Sequence, residues 1–311
     1  MATRFRRSIW LVRTMGVTMT WTLLLGGIEI RAAAPSFCAA YIHPGDDGPL
    51  LTLFPMVGPK VTVPLPAGLP RDFRLMATSL DGKAIYGQAS DQVGPSDAII
   101  KIDFKPTRHS LVQGSVGLGT IWYLSISQQS DRIFASGWSK RQGMAECGAF
   151  EIDTGTLRNL RVGLHPDCGG AAGDISPDGK RVLGHQGNRL SLLDLETGAG
   201  NAFDTDLKDG VWSQDGRWIA ATSDTNRIVL IDATNTSRRR DLGPSGGTPV
   251  HWSPDSKYLL LSKSQLRCTL DLYFDSLQTL DVKTGKRSVI KSSRCEVGSG
   301  NVGWLDMEAV R

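Results

Sequence analysis

The chain has 311 residues, 40% of them hydrophobic and 21% charged, with 35 Lys and Arg against 31 Asp and Glu and a formal net charge of +4. That length suits one large domain or two ordinary ones, and the composition excludes an intrinsically disordered chain. Five arginines and one glutamate fall in the first 34 residues, leaving 30 basic and 30 acidic residues beyond them, and a neutral body without a basic stripe excludes nucleic acid as the partner.

Residues 1–34 read as an address label. Arg4, Arg6, Arg7 and Arg13 precede a mainly apolar run from Thr14 to Ile28, and the small residues Ala32 to Ala34 follow, which is the layout of an export signal. The run is too short for the roughly 20 residues that a bilayer-spanning helix needs. A cleaved signal is the expected reading and a permanent N-terminal anchor the alternative. No other integral membrane segment is expected, and the location implied is the periplasm or the extracellular space.

From Phe37 to Pro66 come strand-like runs, FCAAYIHP, PLLTLFP and KVTVPLP. A repeat then takes over. SLDGKAIYG at Ser79, a degenerate SQQSDRIFAS at Ser127, SPDGKRVLG at Ser176, SQDGRWIAA at Ser213 and SPDSKYLLL at Ser253 recur at intervals of 37 to 49 residues. Each has a short strand before it, such as GVWS or VHWS, with Trp212 and Trp252 at matching places. After each come a β-rich run, a third run ending in Asp (AIIKID, GAFEID, LSLLD, RIVLID, LQTLD), a second turn and a fourth short strand. Asp-Gly supplies the positive φ of a tight hairpin, and the Ser or Asp side chain caps its free amides. A lone four-stranded meander exposes both faces, whereas radial stacking buries them against neighbours.

Near the C-terminus NVGWLD sets Trp304 where Trp212 and Trp252 stand, and the N-terminal runs lack an inner strand of their own. The expected fold is therefore an all-β, six-bladed propeller of four-stranded antiparallel blades. It occupies residues 35–311 as a single domain, with the ring closed by pairing of N- and C-terminal strands.

Five cysteines follow the leader. Cys147 and Cys268 each stand before a third strand, and Cys168 and Cys295 each follow a fourth, so the disulfides expected are Cys147–Cys168 and Cys268–Cys295, each worth about 3 kcal/mol. Cys38 is left as a buried thiol. Gly243-Pro244-Ser245-Gly246-Gly247 matches the nucleophile elbow of serine hydrolases, but the inner strand TPVHW follows where the elbow needs a helix, so it reads as a blade connection. His165 and Cys168 have ligand-like spacing, with Cys168 better explained by its disulfide and the other histidines spread over different blades. No metal, cofactor or catalytic residue is assigned.

WSQDGR at Trp212, WSPDSK at Trp252, ISPDGK at Ile175, LDLETG at Leu193 and LDVKTG at Leu280 resemble the WD-like propeller repeats of the TolB family, over about Arg71 to Trp304. The resemblance implies an exported, non-catalytic scaffold that binds a protein, a peptide or an envelope component, here as a monomer. The α/β domain that precedes the propeller in that family has no counterpart between the leader and the first blade. Loops feeding the inner strands surround the channel mouth, making Arg71, Asp72, Thr120, Asp209 and His251 the candidate contacts. The rival reading is a glycan lyase or hydrolase with its site in the channel, which requires carboxylates or histidines from several blades within about 5 to 10 Å.

Overall fold

The computed structural model describes residues 37–45, 47–56, 58–70, 73–79, 81–88, 99–112, 118–127, 132–139, 145–153, 156–162, 174–186, 189–203, 207–263, 273–297 and 303–310. The export-signal segment lies outside them. The described chain opens with β1 (Phe37–Gly45), β2 (Gly48–Pro55) and β3 (Val61–Pro64). The second blade is β4 (Arg74–Thr78), β5 (Ala84–Gln88), β6 (Ile99–Phe104) and β7 (Thr107–Val112), and the third is β8 (Leu118–Ile126), β9 (Arg132–Ser139), β10 (Ala145–Asp153) and β11 (Thr156–Val162). The fourth is β12 (Asp174–Ile175), β13 (Arg181–Gln186), β14 (Arg189–Asp194) and β15 (Gly200–Ala202). The fifth comprises β16 (Leu207–Trp212), β17 (Trp218–Ser223), β18 (Arg227–Asp232) and β19 (Arg239–Pro244). In the sixth are β20 (Thr248–Trp252), β21 (Tyr258–Lys263), β22 (Tyr273–Asp281) and β23 (Arg287–Val297). The last strand, β24 (Gly303–Asp306), is the innermost strand of the first blade, in the order β24-β1-β2-β3.

The ring closes on the pairing of β1 with β24, antiparallel, with Cys38 opposite Leu305 and Ala39 opposite Trp304. The innermost strands touch in cyclic order, β4, β8, β12, β16, β20, β24 and back to β4. This is the six-bladed, all-β propeller expected from the repeat.

The repeated turn works as its composition demands. In the fifth blade the Ser213 hydroxyl donates to Asp215 Oδ1 at 2.6 Å and accepts from Trp218 N at 2.9 Å, while Arg217 N donates to the same carboxylate oxygen. Gly216 sits at φ +69°, where a Cβ is disfavoured. Ser79, Ser176 and Ser253 repeat the pattern. In the degenerate unit the Ser127 hydroxyl instead donates across to the Pro177 carbonyl of the next blade, at 2.9 Å.

Apolar side chains fill the spaces between blades. One cluster joins Ile42 and Leu53 to Phe73 and Ile85 between the first two blades. Others join Tyr86 to Ile133, Phe134 and Cys147 to Ile175, Leu190 to Trp212, Leu230 to Trp252, and Leu260 to Trp304 and Tyr41. Each of the six blade interfaces thus has its own core, with Trp212, Trp252 and Trp304 each packed toward the preceding blade.

Three details differ from the sequence expectation. Cys147 lies inside β10 rather than before it, and Cys295 inside β23, because irregular pairing carries that strand on to Val297 opposite Tyr273. A single helical turn, α1 (Met307–Val310), follows the clasp, its second amide held by the Asp306 carboxylate, which accepts from Glu308 N at 3.0 Å. Cys38 is buried, its thiol donating weakly to the Leu305 carbonyl across the clasp.

Candidate functional site: the central channel

Inner strands position the channel wall, and bulges aim it. Register slips at Leu75/Ala77 in β4, Lys208/Val211 in β16 and Pro249/His251 in β20 fall at the same place before the turn serine. A bulge kinks the strand and redirects the next side chain. The residue two before that serine is Ala77, Ser125, Asp174, Val211 or His251, and all five line one cavity of about 30 Å³, together with Tyr123, Trp212 and Gln214. At ~10–15 Å³ per water molecule, that is room for about two or three.

One side of the wall is a chain of hydrogen bonds spanning three blades. The Ser125 hydroxyl of β8 donates to Asp174 Oδ1 of β12, and Trp212 N of β16 donates to Asp174 Oδ2 at 2.6 Å. Ile175 N donates in turn to Ser125 Oγ at 3.0 Å. With only two residues, β12 is anchored sideways as much as by its own ladder to Val182 and Leu183. Enclosure among the blades raises the Asp174 carboxyl to about 6, against the downward pull of the Ser125 hydroxyl and the Trp212 and Ile175 amides. Burial also pushes the Tyr123 phenol well above its usual range, and the Asp174 charge pushes it the same way.

The other side is closed across a missing side chain. Gly303 of β24 stands between β4 and β20, and a Cβ there would come within 2.4 Å of Thr78 Cγ2. Its absence lets the Thr78 hydroxyl approach His251 Nε2, 3.4 Å away. His251 Nδ1 lies 3.0 Å from the Trp252 carbonyl, which can only accept, so Nδ1 carries the proton and Nε2 accepts from Thr78. Burial depresses the imidazole's pKa, favouring its neutral form.

Of the five candidate contacts, the structure brings His251 to the cavity. Asp209 forms the β16 bulge at φ +51° and is partly exposed. Thr120 of β8 pairs with Trp138 of β9, whereas Arg71 and Asp72 lie outside the described residues. The sequence reading missed Ser125, Asp174 and Tyr123. A signal for Asp174 was present, since an acidic residue stands where other units carry Ala77 or Val211.

Ser245 is a blade connection, as expected. Its hydroxyl donates to Asn226 Oδ1 at 2.5 Å, its carbonyl accepts from Arg287, and β20 rather than a helix follows. Among the described residues no three His, Cys, Asp or Glu side chains gather as a metal site.

No known protein-family profile and no curated protein sequence matches the chain. Solved structures do. A candidate 6-phosphogluconolactonase from Bacteroides uniformis is similar at 15% identity and a TM-score of 0.48, over 82% of each chain. The Cps50 (Swd1) β-propeller domain of Myceliophteria thermophila is similar at 10% identity and a TM-score of 0.46, over 73% of this chain and 88% of that one. The blade count itself rests on the strand pairing above.

Proposed function

We propose that the chain is an exported, non-catalytic scaffold whose propeller binds a protein or peptide at one rim, in the manner of the TolB family that its repeats resemble. The carrying observation is that the rims are unlike. At one, four of the turns between first and second strands are short, equal and closed by their own Ser–Asp hydrogen bonds. At the other, second strands reach third strands, and each blade reaches the next, through connections of very unequal length, from Asp224–Asn226 to 89–98 and 163–173. Variable connections on a rigid frame are where recognition concentrates.

The wall chemistry supports the same reading. Among the described residues one carboxylate lines the cavity, and both its oxygens hold neighbouring blades, while glycan cleavage ordinarily uses two carboxyl groups. In the test, tagged protein is used to capture partners from an envelope extract of the source cell. The expected result is a stoichiometric partner, lost when 89–98 or 163–173 is replaced by Gly-Ser and kept when Lys180 and Arg217 on the opposite rim are changed to Ala. Cleavage of an envelope glycan by the purified protein, with no partner held, would reverse the assignment.

Export supports disulfides Cys147–Cys168 and Cys268–Cys295, of which Cys168 and Cys268 lie outside the described residues. Titration of the denatured, unreduced protein is expected to find one thiol, that of Cys38; five would exclude both bonds.

A further inference from the structure

Several exposed cations of the ring stand beside carboxylates: Lys83 by Asp81, Lys180 by Glu196, Arg227 by Asp241, Arg238 by Asp232 and Lys257 by Asp255. The gap between β19 and β23, the outermost strands of the fifth and sixth blades, departs from this. Residues 239–244 and 282–290 carry Arg239, Arg240, Lys283, Lys286 and Arg287 against one acid, Asp241, which Arg227 already holds. Among the described residues Arg240, Lys283, Lys286 and Arg287 form no ion pair. The neighbouring Asp281 carboxylate is engaged within its own turn, accepting from Thr284 N at 2.8 Å.

Two of these cations are held in place across the gap. The Arg240 guanidinium donates to the Val282 carbonyl of the sixth blade, and the Arg287 guanidinium donates back to the Pro244 and Ser245 carbonyls of the fifth. Burial, unopposed by any carboxylate, lowers the Arg287 pKa. A guanidinium carries five N–H groups, so each arginine keeps donors for a carboxylate, which its fork matches in shape. Lys283 and Lys286 are exposed in the turn before β23. Val289, two residues after Arg287 and so on the same face of β23, is 61% exposed. We propose that this gap is a docking site for an acidic segment of another protein, laid extended along β23 with its carboxylates on Arg240, Arg287 and the two lysines and an apolar side chain on Val289. A peptide suits the place better than a lipid headgroup or free phosphate because β23 is an edge strand, whose outward N–H and C=O groups accept an added strand. The site is on the circumference of the ring, apart from the unequal connections of the rim, so its loss and the loss of rim binding are separate observations.

Fluorescence anisotropy with a labelled Glu-Val-Glu-Glu-Val-Glu peptide at low salt tests this on the purified protein. The expected result is saturable binding that weakens as salt is raised and is absent for the same peptide with Gln in place of Glu. The exposed substitutions Lys283→Gln and Lys286→Gln together should weaken it at least fivefold, and Val289→Ser about threefold. Lys83→Gln with Lys180→Gln, which removes two cations that already have carboxylate partners, should leave it unchanged. No binding, equal binding of the Gln peptide, or equal weakening by the Lys83 and Lys180 substitutions overturns the proposal. So does capture of phosphatidylglycerol vesicles or inorganic phosphate through Lys283 and Lys286 by a protein that ignores the peptide.

Discussion

Deletion of residues 303–311 is expected to abolish cooperative folding, and Trp304→Ala alone to lower stability by about 3 to 4 kcal/mol. The clasp supplies the four inner pairings of the first blade, from Phe37 with Asp306 to Ala40 with Gly303. It also buries Trp304 at 1% exposure and Leu305 at 0%. These sit in different interfaces, Trp304 with Leu260 of the sixth blade and Leu305 with Phe73 of the second. Loss of the strand therefore opens two cores at once, a cost comparable with the whole ~5–15 kcal/mol that holds a domain folded. The indole nitrogen of Trp304 has no partner among the described residues, so Trp304→Phe should cost less than Trp252→Phe, which forfeits the bond to Val211. Urea unfolding of the wild type and the four variants measures this. A truncated chain that unfolds in one transition near the wild-type midpoint would show that the ring is not closed by its tail.

The blades were legible because the repeat carries its own turn chemistry. Ser, Asp and Gly at fixed offsets dictate a hairpin wherever they recur, and Trp304 marked the sixth inner strand by standing in the place of Trp212 and Trp252. Channel chemistry was not legible in the same way. Ser125 and Asp174 are 49 residues apart and Thr78 and His251 are 173 apart, so their meeting depends on which blades adjoin and on a glycine, Gly303, leaving its place vacant. The position two before the turn serine tolerates Ala, Ser, Asp, Val and His because it faces a channel rather than a packed interface. No hydrophobic period therefore marks it.

Asp174→Ala is expected to cost about 2 to 3 kcal/mol near pH 4, since it strands the Trp212 amide and one bond of the Ser125 hydroxyl inside the wall. Asp174→Asn, which keeps an acceptor for one of them, should cost less. The pH dependence discriminates further. Burial lifts the carboxyl from 3.8 to about 6 in the folded ring, so the folded protein binds the proton more tightly than the unfolded chain. The stability this contributes is complete below the unfolded value and is lost as pH rises through the folded one. Relative to Asp174→Asn, the wild type should lose up to about 3 kcal/mol between pH 4 and pH 7 and then level off. The deficit of Asp174→Ala should shrink over the same range, because above pH 6 the substitution also removes a charge that the channel holds at a cost. His251, whose pKa burial depresses, contributes the opposite slope, gaining stability as pH rises toward its unfolded value, but it does so in all three proteins and cancels from their differences, while Tyr123 is raised well above this window. Chemical denaturation of the three proteins at intervals of pH reads the effect; stability curves that run parallel for wild type and Asp174→Asn would mean that the carboxyl is hydrated as freely in the ring as outside it.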